Sequence, residues 1–361
     1  MSSQPEYLNR LLGEIVKEDR EMALMEVCGT HTMAIAKSGL RNLLPPNLKL
    51  LSGPGCPVCV TAQGDIDAVI ELAVKPGIIM VTFGDMMRVP GTTSSLQEAR
   101  SQGADIRVAY SPLDALAIAQ RNPDKEVVFL GIGFETTAPA VAICADQARN
   151  LGLKNFSVFS LHKVVPPALE VIFSMPDMKI DGLICPGHVS VVIGLEPYEK
   201  LVEKYHRPCV VTGFETQDIL EGVYMLIRQI RQGEARAEIQ YTRVVKSGGN
   251  PAAQKILEEV FEPSDARWRG IGNIPNSGLA FRPEYGIFDA RKRFDIMDRE
   301  DIPIKGCACG EVLTGKITPQ DCALFGRACT PLKPIGPCMV SHEGACAAYY
   351  RYPPPSPSKK G

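Results

Sequence analysis

The sequence predicts an α/β fold of the doubly wound, parallel-sheet type, and three observations lead to this prediction. Up to about residue 245, short apolar runs alternate with amphipathic segments, the order expected when strands and crossover helices build a parallel sheet. Loops rich in glycine and polar residues follow several of the apolar runs. The alternation stops near Lys246, and half of the twelve cysteines lie between Cys307 and Cys346.

The individual elements follow from hydrophobic periodicity. Residues 7–20 carry apolar side chains at helical spacing and predict an amphipathic helix. Further helices are predicted for the segments 140–151, 196–205 and 216–232. Buried strands are predicted for the short apolar runs 77–84, 126–132, 156–161, 182–185 and 208–212. Parallel strands of this kind place ligand-binding loops at their carboxyl ends.

A repeated motif and changes in composition along the chain suggest how it divides into domains. Gly133-Phe-Glu-Thr-Thr recurs as Gly213-Phe-Glu-Thr-Gln, each time after a predicted strand, which favours a duplicated α/β unit. We expect a first α/β domain over residues 1–120, a second over 121–245 and a cysteine-rich C-terminal domain over 246–361, although segments after residue 246 can return to complete either α/β domain. The closing nine residues, from Pro353, are typical of a disordered tail.

The composition is that of a globular protein without nucleic-acid or membrane partners. Of the 361 residues, 45% are hydrophobic and 22% are charged, and the net charge is −2. Basic residues are spread along the chain, whereas nucleic-acid binding calls for a basic face. No apolar run approaches the roughly 20 residues that cross a bilayer, and the N-terminus lacks the features of a signal peptide. We expect a cytoplasmic protein whose cysteines serve metal binding or thiol chemistry rather than a disulfide framework.

Three of the cysteines are predicted to be core residues. Cys144, Cys185 and Cys209 each lie singly in apolar surroundings, and free cysteine behaves as a small buried hydrophobe. The other nine cysteines require a chemical explanation.

The first chemical motif is Glu26-Val-Cys28-Gly-Thr-His31-Thr. It offers a soft sulfur ligand at Cys28, and a neighbouring histidine cation would lower the pKa of that thiol and favour the thiolate. A buried cysteine at a strand end, followed by a capping threonine, explains the same residues equally well. The motif alone therefore leaves a functional and a structural interpretation of Cys28 open.

The second motif is a Cys-X-X-Cys pair, Cys56 and Cys59, which follows Gly53-Pro-Gly in a tight, irregular loop. Such a pair works as a dithiol/disulfide couple or as half of a four-cysteine metal site. No second pair or suitably spaced histidine lies nearby in the sequence. A dithiol, or thiolates poised for a metal shared with Cys28, is therefore favoured over structural zinc.

Polar loop residues after several predicted strands are weaker candidates. Asp85, Glu135, His188 and Glu215 each lie shortly after a strand-like run, where function is concentrated in open α/β sheets. Asp85 and Glu135 can equally be helix caps, and His188 can be a hydrogen-bonded core histidine. The sequence contains no P-loop and no Gly-x-Gly-x-x-Gly fingerprint, so nucleotide binding has no support.

The C-terminal cysteines have irregular spacing, Cys307-X-Cys309-X12-Cys322-X6-Cys329-X8-Cys338-X7-Cys346. This spacing is too irregular for a two-cluster ferredoxin and wrong for a zinc ribbon. One [4Fe–4S] cluster uses four thiolates and leaves two cysteines for redox work beside it. Structural zinc with stray thiols is the alternative. Either metal would help to hold together a segment with little continuous apolar face.

Taken together, the motifs resemble those of the HypD family of hydrogenase maturation factors, over essentially the whole chain. The most specific parts are Cys28-Gly-Thr-His-Thr, Gly53-Pro-Gly-Cys-Pro-Val-Cys, Gly131-Ile-Gly-Phe-Glu-Thr-Thr-Ala-Pro, Cys185-Pro-Gly-His-Val-Ser, and Cys329-Thr-Pro through Gly336-Pro-Cys-Met-Val-Ser-His-Glu-Gly-Ala-Cys346. No motif cysteine departs from the family pattern. The resemblance implies two similar doubly wound parallel-sheet domains plus a small C-terminal iron–sulfur domain.

The resemblance also implies a function, the assembly of the Fe(CN)₂CO unit of [NiFe]-hydrogenases. Members of the family work with the small chaperone HypC, which shares the iron, and with HypE, which delivers cyanide made with the help of HypF. By this analogy Cys28 is the expected iron ligand, and Cys56 and Cys59 form the adjacent thiol pair. His31 is the expected proton donor or hydrogen-bond partner of a ligand nitrogen.

The C-terminal pattern is similar to that of ferredoxin:thioredoxin reductase, in which a Cys-X-Cys places one cysteine on the cluster and the next in a disulfide. The cluster ligands that this similarity implies are Cys307, Cys322, Cys329 and Cys346. The implied redox pair is Cys309 and Cys338. The expected metal centres are thus a [4Fe–4S] cluster and, as a carried intermediate, the Fe(CN)₂CO iron.

Two other classes of function fit the same residues. A thiol oxidoreductase would use the cluster to reduce Cys56–Cys59 for a protein substrate, and it would turn over a disulfide without bound cyanide. A non-catalytic scaffold would use its metal centres only to stabilise an assembly surface.

Overall fold

The computed structural model describes residues 4–177, 179–302 and 304–354. Within these ranges the chain forms two parallel sheets and one antiparallel hairpin. Most of the predicted C-terminal tail, residues 355–361, lies outside the described residues. None of the helices in the described ranges is long and apolar enough to cross a membrane.

Strands and helices alternate along most of the chain. The strands are β1 Met22–Glu26, β2 Leu48–Ser52, β3 Ile78–Thr82, β4 Asp105–Val108, β5 Glu126–Gly131, β6 Phe156–Ser160, β7 Gly182–Pro186, β8 Cys209–Thr212, β9 Ala237–Ile239, β10 Phe261–Trp268 and β11 Gly272–Phe281. The helices are α1 Gln4–Val16, α2 Gly29–Lys37, α3 Leu40–Leu43, α4 Pro57–Val60, α5 Gln63–Ala73, α6 Leu96–Ser101, α7 Pro112–Arg121, α8 Ala138–Asn150, α9 Val165–Ser174, α10 Gly187–Ile193, α11 Glu196–Tyr205, α12 Thr216–Gln232, α13 Pro251–Val260, α14 Ala290–Arg293, α15 Cys309–Leu313, α16 Pro337–Val340 and α17 Ala345–Arg351. Short 3-10 helices lie at Gly84–Arg88, Pro283–Phe288 and Pro319–Asp321.

The predicted α/β class with parallel sheets is confirmed. Among the described residues, one sheet has five parallel strands in the order β2-β1-β7-β8-β9, and the other has four in the order β4-β3-β5-β6. All five residues of β3 are buried. This burial explains its unbroken apolar sequence, because helices cover both faces of such a sheet. The C-terminal iron–sulfur domain stays a prediction.

The predicted domain limits stay a prediction, and each sheet takes strands from both sides of residue 120. β1 pairs with β2 and β7, whereas β3 pairs with β4 and β5. The limit at residue 120 falls inside α7, and strand pairing of the four-stranded sheet crosses it. The chain therefore starts one sheet, builds the other and then returns to the first. Sequence could not show this return, because a connection between parallel strands can be of any length above the minimum for a crossover.

Most predicted elements agree with the structure. The helices predicted over 196–205 and 216–232 are α11 and α12, and the five predicted strands are β3 and β5 to β8. The prediction missed the short strands β1, β2, β4 and β9, together with the whole hairpin of β10 and β11. A register shift between Ser264 and Ala266 interrupts this hairpin, which obscures the alternation typical of a strand.

The core positions of three cysteines are confirmed, since Cys144, Cys185 and Cys209 are all fully buried. Trp268 at the end of β10 is also buried, and its indole Nε1 donates a hydrogen bond to the Ser277 hydroxyl at 2.8 Å. Its ring stacks on Phe134 at a centroid distance of 5.9 Å. The hairpin is therefore packed against the loop that follows β5.

Two helical glycines test how closely α12 packs on the five-stranded sheet. A Cβ at Gly222 in α12 would overlap the Thr212 side chain of β8, whereas Gly13 in α1 has no such neighbour within 4 Å. We predict that Gly13→Ala raises the free energy of unfolding by roughly 0.5–1 kcal/mol, because alanine is the better helix former. Gly222→Ala gains the same propensity but should lower the free energy of unfolding by about 1–3 kcal/mol through overpacking.

Chemical denaturation of the two variants and the wild type measures both effects. Equal stabilisation by the two substitutions would show that α12 does not pack this closely on β8.

Candidate functional site

The candidate site is a cleft of about 460 Å³ at the carboxyl ends of strands from both sheets. Segments that follow β1, β3, β5 and β7 line it, and the C-terminal segment closes one side. Representative lining residues are Cys28, Asp85, Phe134, His188 and Glu343. We call this the Cys28 cleft. Its position agrees with the rule that open α/β sheets bind ligands beyond the carboxyl ends of their strands.

Cys28 lies between β1 and α2, where two loops meet backbone to backbone. The Gly29 N–H donates to the Gly55 carbonyl at 2.8 Å, and the Gly53 N–H donates to the Glu26 carbonyl at 2.8 Å. A Cβ at Gly55 would overlap the backbone of Cys28. The glycine therefore permits the close approach that brings the Cys28 and Cys56 segments together.

A buried carboxyl group is hydrogen-bonded to the backbone of the Cys28 turn. Glu26 is fully buried, and its carboxyl oxygens accept hydrogen bonds from the Cys28 N–H at 3.1 Å and the Thr32 hydroxyl at 2.5 Å. Burial raises the pKa of Glu26 to about 7. Burial likewise raises the pKa of the Cys28 thiol to about 12. The local structure thus favours a neutral thiol at Cys28, which a bound metal ion would deprotonate.

The structure places His31 behind Cys28, facing the five-stranded sheet. Its Nε2 lies 2.9 Å from the Gly213 carbonyl and 2.9 Å from the Thr212 hydroxyl, and its ring lies 4.6 Å from that of Phe214. Burial lowers the pKa of His31 to about 4, so the imidazole is neutral near pH 7. His31 is not among the residues that line the Cys28 cleft. Its predicted role as a proton donor stays a prediction.

Cys56 and Cys59 form a disulfide, with their Cα atoms 5.3 Å apart. Cys56 caps α4, and both residues are buried. Pro57 and Val58 between them line the cleft. In this state neither sulfur is a thiolate, so Cys28 is the free thiol of the three.

Two C-terminal residues complete the site, and sequence reasoning missed both. The Thr30 hydroxyl donates to Glu343 Oε1 at 2.7 Å, and a Cβ at Gly29 would overlap the Glu343 side chain. The Ser341 hydroxyl lies 3.4 Å from Cys56 Sγ. The polar Ser-His-Glu segment between Cys338 and Cys346 is visible in the sequence, but only the tertiary contacts show that it lies at the cleft.

The weaker loop candidates separate into cleft residues and helix caps. Asp85 and His188 line the Cys28 cleft, and the exposed His188 ring stacks on Phe214 at 4.0 Å. Glu135 is buried, and its carboxyl group accepts a hydrogen bond from the Val165 N–H in the first turn of α9. This contact agrees with the interpretation of Glu135 as a helix cap. Burial raises its pKa to about 7. Glu215 is exposed and caps α12.

The C-terminal cysteines converge on a second, small apolar pocket, which we call the six-cysteine pocket. The cysteines that line it are Cys307, Cys309, Cys322, Cys329, Cys338 and Cys346. All six are free thiols. The predicted division into four ligands and a Cys309–Cys338 redox pair stays a prediction. In the described ranges, no group of three or more His, Cys, Asp or Glu side chains is arranged to hold a single metal ion.

The six-cysteine pocket adjoins the disulfide. Cys338 lies on α16, which packs against α4, the helix that carries Cys59. The same segment continues to Ser341 and Glu343 at the Cys28 cleft. One chain segment therefore connects the six-cysteine pocket, the disulfide and the cleft.

Comparison with known proteins supports a single family. A family model for HypD, described as "Hydrogenase formation hypA family", matches residues 5–353. The chain is 48% identical to the hydrogenase maturation factor HypD of Azotobacter vinelandii over 340 residues, which cover 92% of this chain and 90% of that protein. It is 48% identical to the HypD of Escherichia coli K12 over 335 residues, with 92% and 90% coverage. It is 46% identical to the HypD of Rhodobacter capsulatus over 361 residues, with 96% coverage of each chain. The chain therefore belongs to the HypD family of hydrogenase maturation factors.

Proposed function

We propose that this chain acts in hydrogenase maturation by holding the iron of the Fe(CN)₂CO unit at Cys28 while the iron receives its ligands. The observation that supports this most directly is that Cys28 is the free cysteine among the residues lining the cleft. Thiolate is a soft donor and suits low-spin iron that carries cyanide and carbon monoxide. The iron is the substrate of this site, and the chain supplies one ligand and the surroundings.

The cleft offers suitable surroundings for such an iron. His188 and Thr136 add polar groups that can bind a cyanide nitrogen, and Phe134 and Val58 add apolar wall. Hydrogen bonds in a partly apolar cleft are stronger than in water. The chain would thus orient the iron ligands and exclude competing water.

We propose that the six-cysteine pocket holds a resident [4Fe–4S] cluster. Sulfur donors in an apolar lining suit such a cluster, and the Ile335 N–H already donates to Cys329 Sγ at 3.3 Å. The proposed ligands are Cys307, Cys322, Cys329 and Cys346. When bound, the cluster supplies single electrons for the reduction of a nearby disulfide.

The two remaining pocket cysteines can exchange with the disulfide. Attack by Cys338 or Cys309 on Cys56–Cys59 would form a mixed disulfide, and a second attack would leave Cys309–Cys338 oxidised and Cys56 and Cys59 as two thiols. The exchange balances without an external oxidant. The packing of α16 on α4 supports this route.

We further propose that the cleft is completed by a HypC-type small chaperone and served by a HypE-type cyanide donor. Tyr110, which lines the cleft, is 96% exposed, so the rim presents a large aromatic side chain to a partner. A cytoplasmic location suits these roles. Ten of the twelve cysteines are free thiols, and a reducing compartment maintains that state.

The iron-binding role of Cys28 is tested by Cys28→Ala. We expect this variant to keep its fold and its cluster but to lose cyanide- and carbonyl-bearing iron in complex with the HypC-type partner. Infrared spectroscopy after anaerobic copurification measures the loss. Cys144→Ala is the matched control, because Cys144 is also a buried free cysteine and lies on α8 outside the cleft lining.

Infrared bands of normal intensity in Cys28→Ala would refute iron binding by this residue. Turnover of a disulfide substrate by the wild type, with no cyanide bands in any preparation, would favour a thiol oxidoreductase instead.

The division of the six cysteines is tested by two serine variants. Cys309→Ser should keep the iron and sulfide content and the visible absorbance of the wild type, because Cys309 is not a proposed ligand. Cys322→Ser should lose most of the cluster, because it removes one ligand. Cluster loss in Cys309→Ser would contradict the proposed division.

A further inference from the structure

Arg269 is a buried cation whose guanidinium is only partly hydrogen-bonded. Its side chain follows β10 and is 5% exposed. Its Nε donates to the Thr61 carbonyl at 2.8 Å, and its backbone N–H donates to the Val60 carbonyl at 2.8 Å. Its Nη2 is buried and has no hydrogen-bond partner among the described residues.

The surroundings of Arg269 contain cysteine sulfur, and the carboxylates at the same opening form no ion pair with it. Gly270 packs against Gly310 backbone to backbone, with no room for a Cβ at either position. Arg269, Cys307 and Cys309 line one opening, which Asp301 and Glu311 also border. Within the described ranges, no carboxylate oxygen lies within 4.0 Å of an Arg269 nitrogen.

A buried and uncompensated arginine is strongly unfavourable, because burial removes the charge from water. Such a residue persists where a negative charge or a good acceptor meets it. The six-cysteine pocket would supply such a negative charge, since thiolate ligands and an iron–sulfur centre are anionic as a unit.

We propose that Arg269 is a positioning residue that supplies the counter-charge of the six-cysteine pocket and connects that pocket to the disulfide segment. Nη2 is the group that meets the anionic sulfur, and Nε holds Thr61, two residues beyond Cys59. A fixed positive charge stabilises the reduced, more negative form of a cluster. This inference rests on the proposed cluster.

The test is a redox titration of the anaerobically purified full chain, with the cluster signal followed by electron paramagnetic resonance. Arg269→Gln removes the charge and should shift the equilibrium for cluster reduction about tenfold towards the oxidised form, ~59 mV for a one-electron couple. Arg269→Lys keeps the charge and should lie close to the wild type. Arg282→Gln is the matched control, because Arg282 Nε also donates to a backbone carbonyl, that of Glu258, outside the lining of the six-cysteine pocket.

The outcomes separate this inference from the proposed function. A wild-type chain without a cluster would overturn the proposed function itself. A cluster whose midpoint potential is the same in wild type, Arg269→Gln and Arg282→Gln would overturn only the role of Arg269. Equal loss of cluster from the Gln and Lys variants would show a packing role and would also overturn the proposed charge.

Discussion

The candidate site depends on the backbone contact between the loop after β1 and the loop after β2. The Gly29 N–H donates to the Gly55 carbonyl, and a side chain at position 55 would overlap the backbone of Cys28. This contact holds Cys28 beside the Cys56–Cys59 segment. Glu26 adds a second restraint from inside the sheet, where its carboxyl group accepts the Cys28 N–H. The thiol position is therefore set by main-chain geometry, and preorganisation of this kind reduces the entropy lost when a ligand binds.

The interleaved topology explains why the cleft has walls from both sheets. The chain leaves the five-stranded sheet after β2, builds the four-stranded sheet and returns at β7. The carboxyl ends of β1 and β7 from one sheet, and of β3 and β5 from the other, then border one cleft. Hydrophobic periodicity identified most of these strands, because each is a short, buried apolar run. It could not assign them to sheets, because pairing between distant segments leaves no local signal.

The same distinction applies to the residues of the site. Cys28, Cys56 and Cys59 could be found from the sequence because cysteine beside glycine in a loop is chemically conspicuous. Glu343 could not, since its contact with Thr30 joins residues separated by 313 positions. The role of His31 as a proton donor or hydrogen-bond partner stays a prediction, while its Nε2 lies within hydrogen-bond distance of the Gly213 carbonyl and the Thr212 hydroxyl. Spacing in a sequence places residues in one motif, but hydrogen-bond partners decide which of them face the cleft.

The two sulfur sites differ in electrostatics in a way that suits a transient and a resident metal. Around Cys28, burial favours the uncharged forms of Glu26, Cys28 and His31. On the proposed function, Cys28 would become a thiolate when iron binds and could be reprotonated when the iron leaves. The six-cysteine pocket has a buried arginine beside it. A permanent cation is stabilising only where the negative charge is also permanent, which is the condition that a resident iron–sulfur cluster fulfils and a carried iron does not.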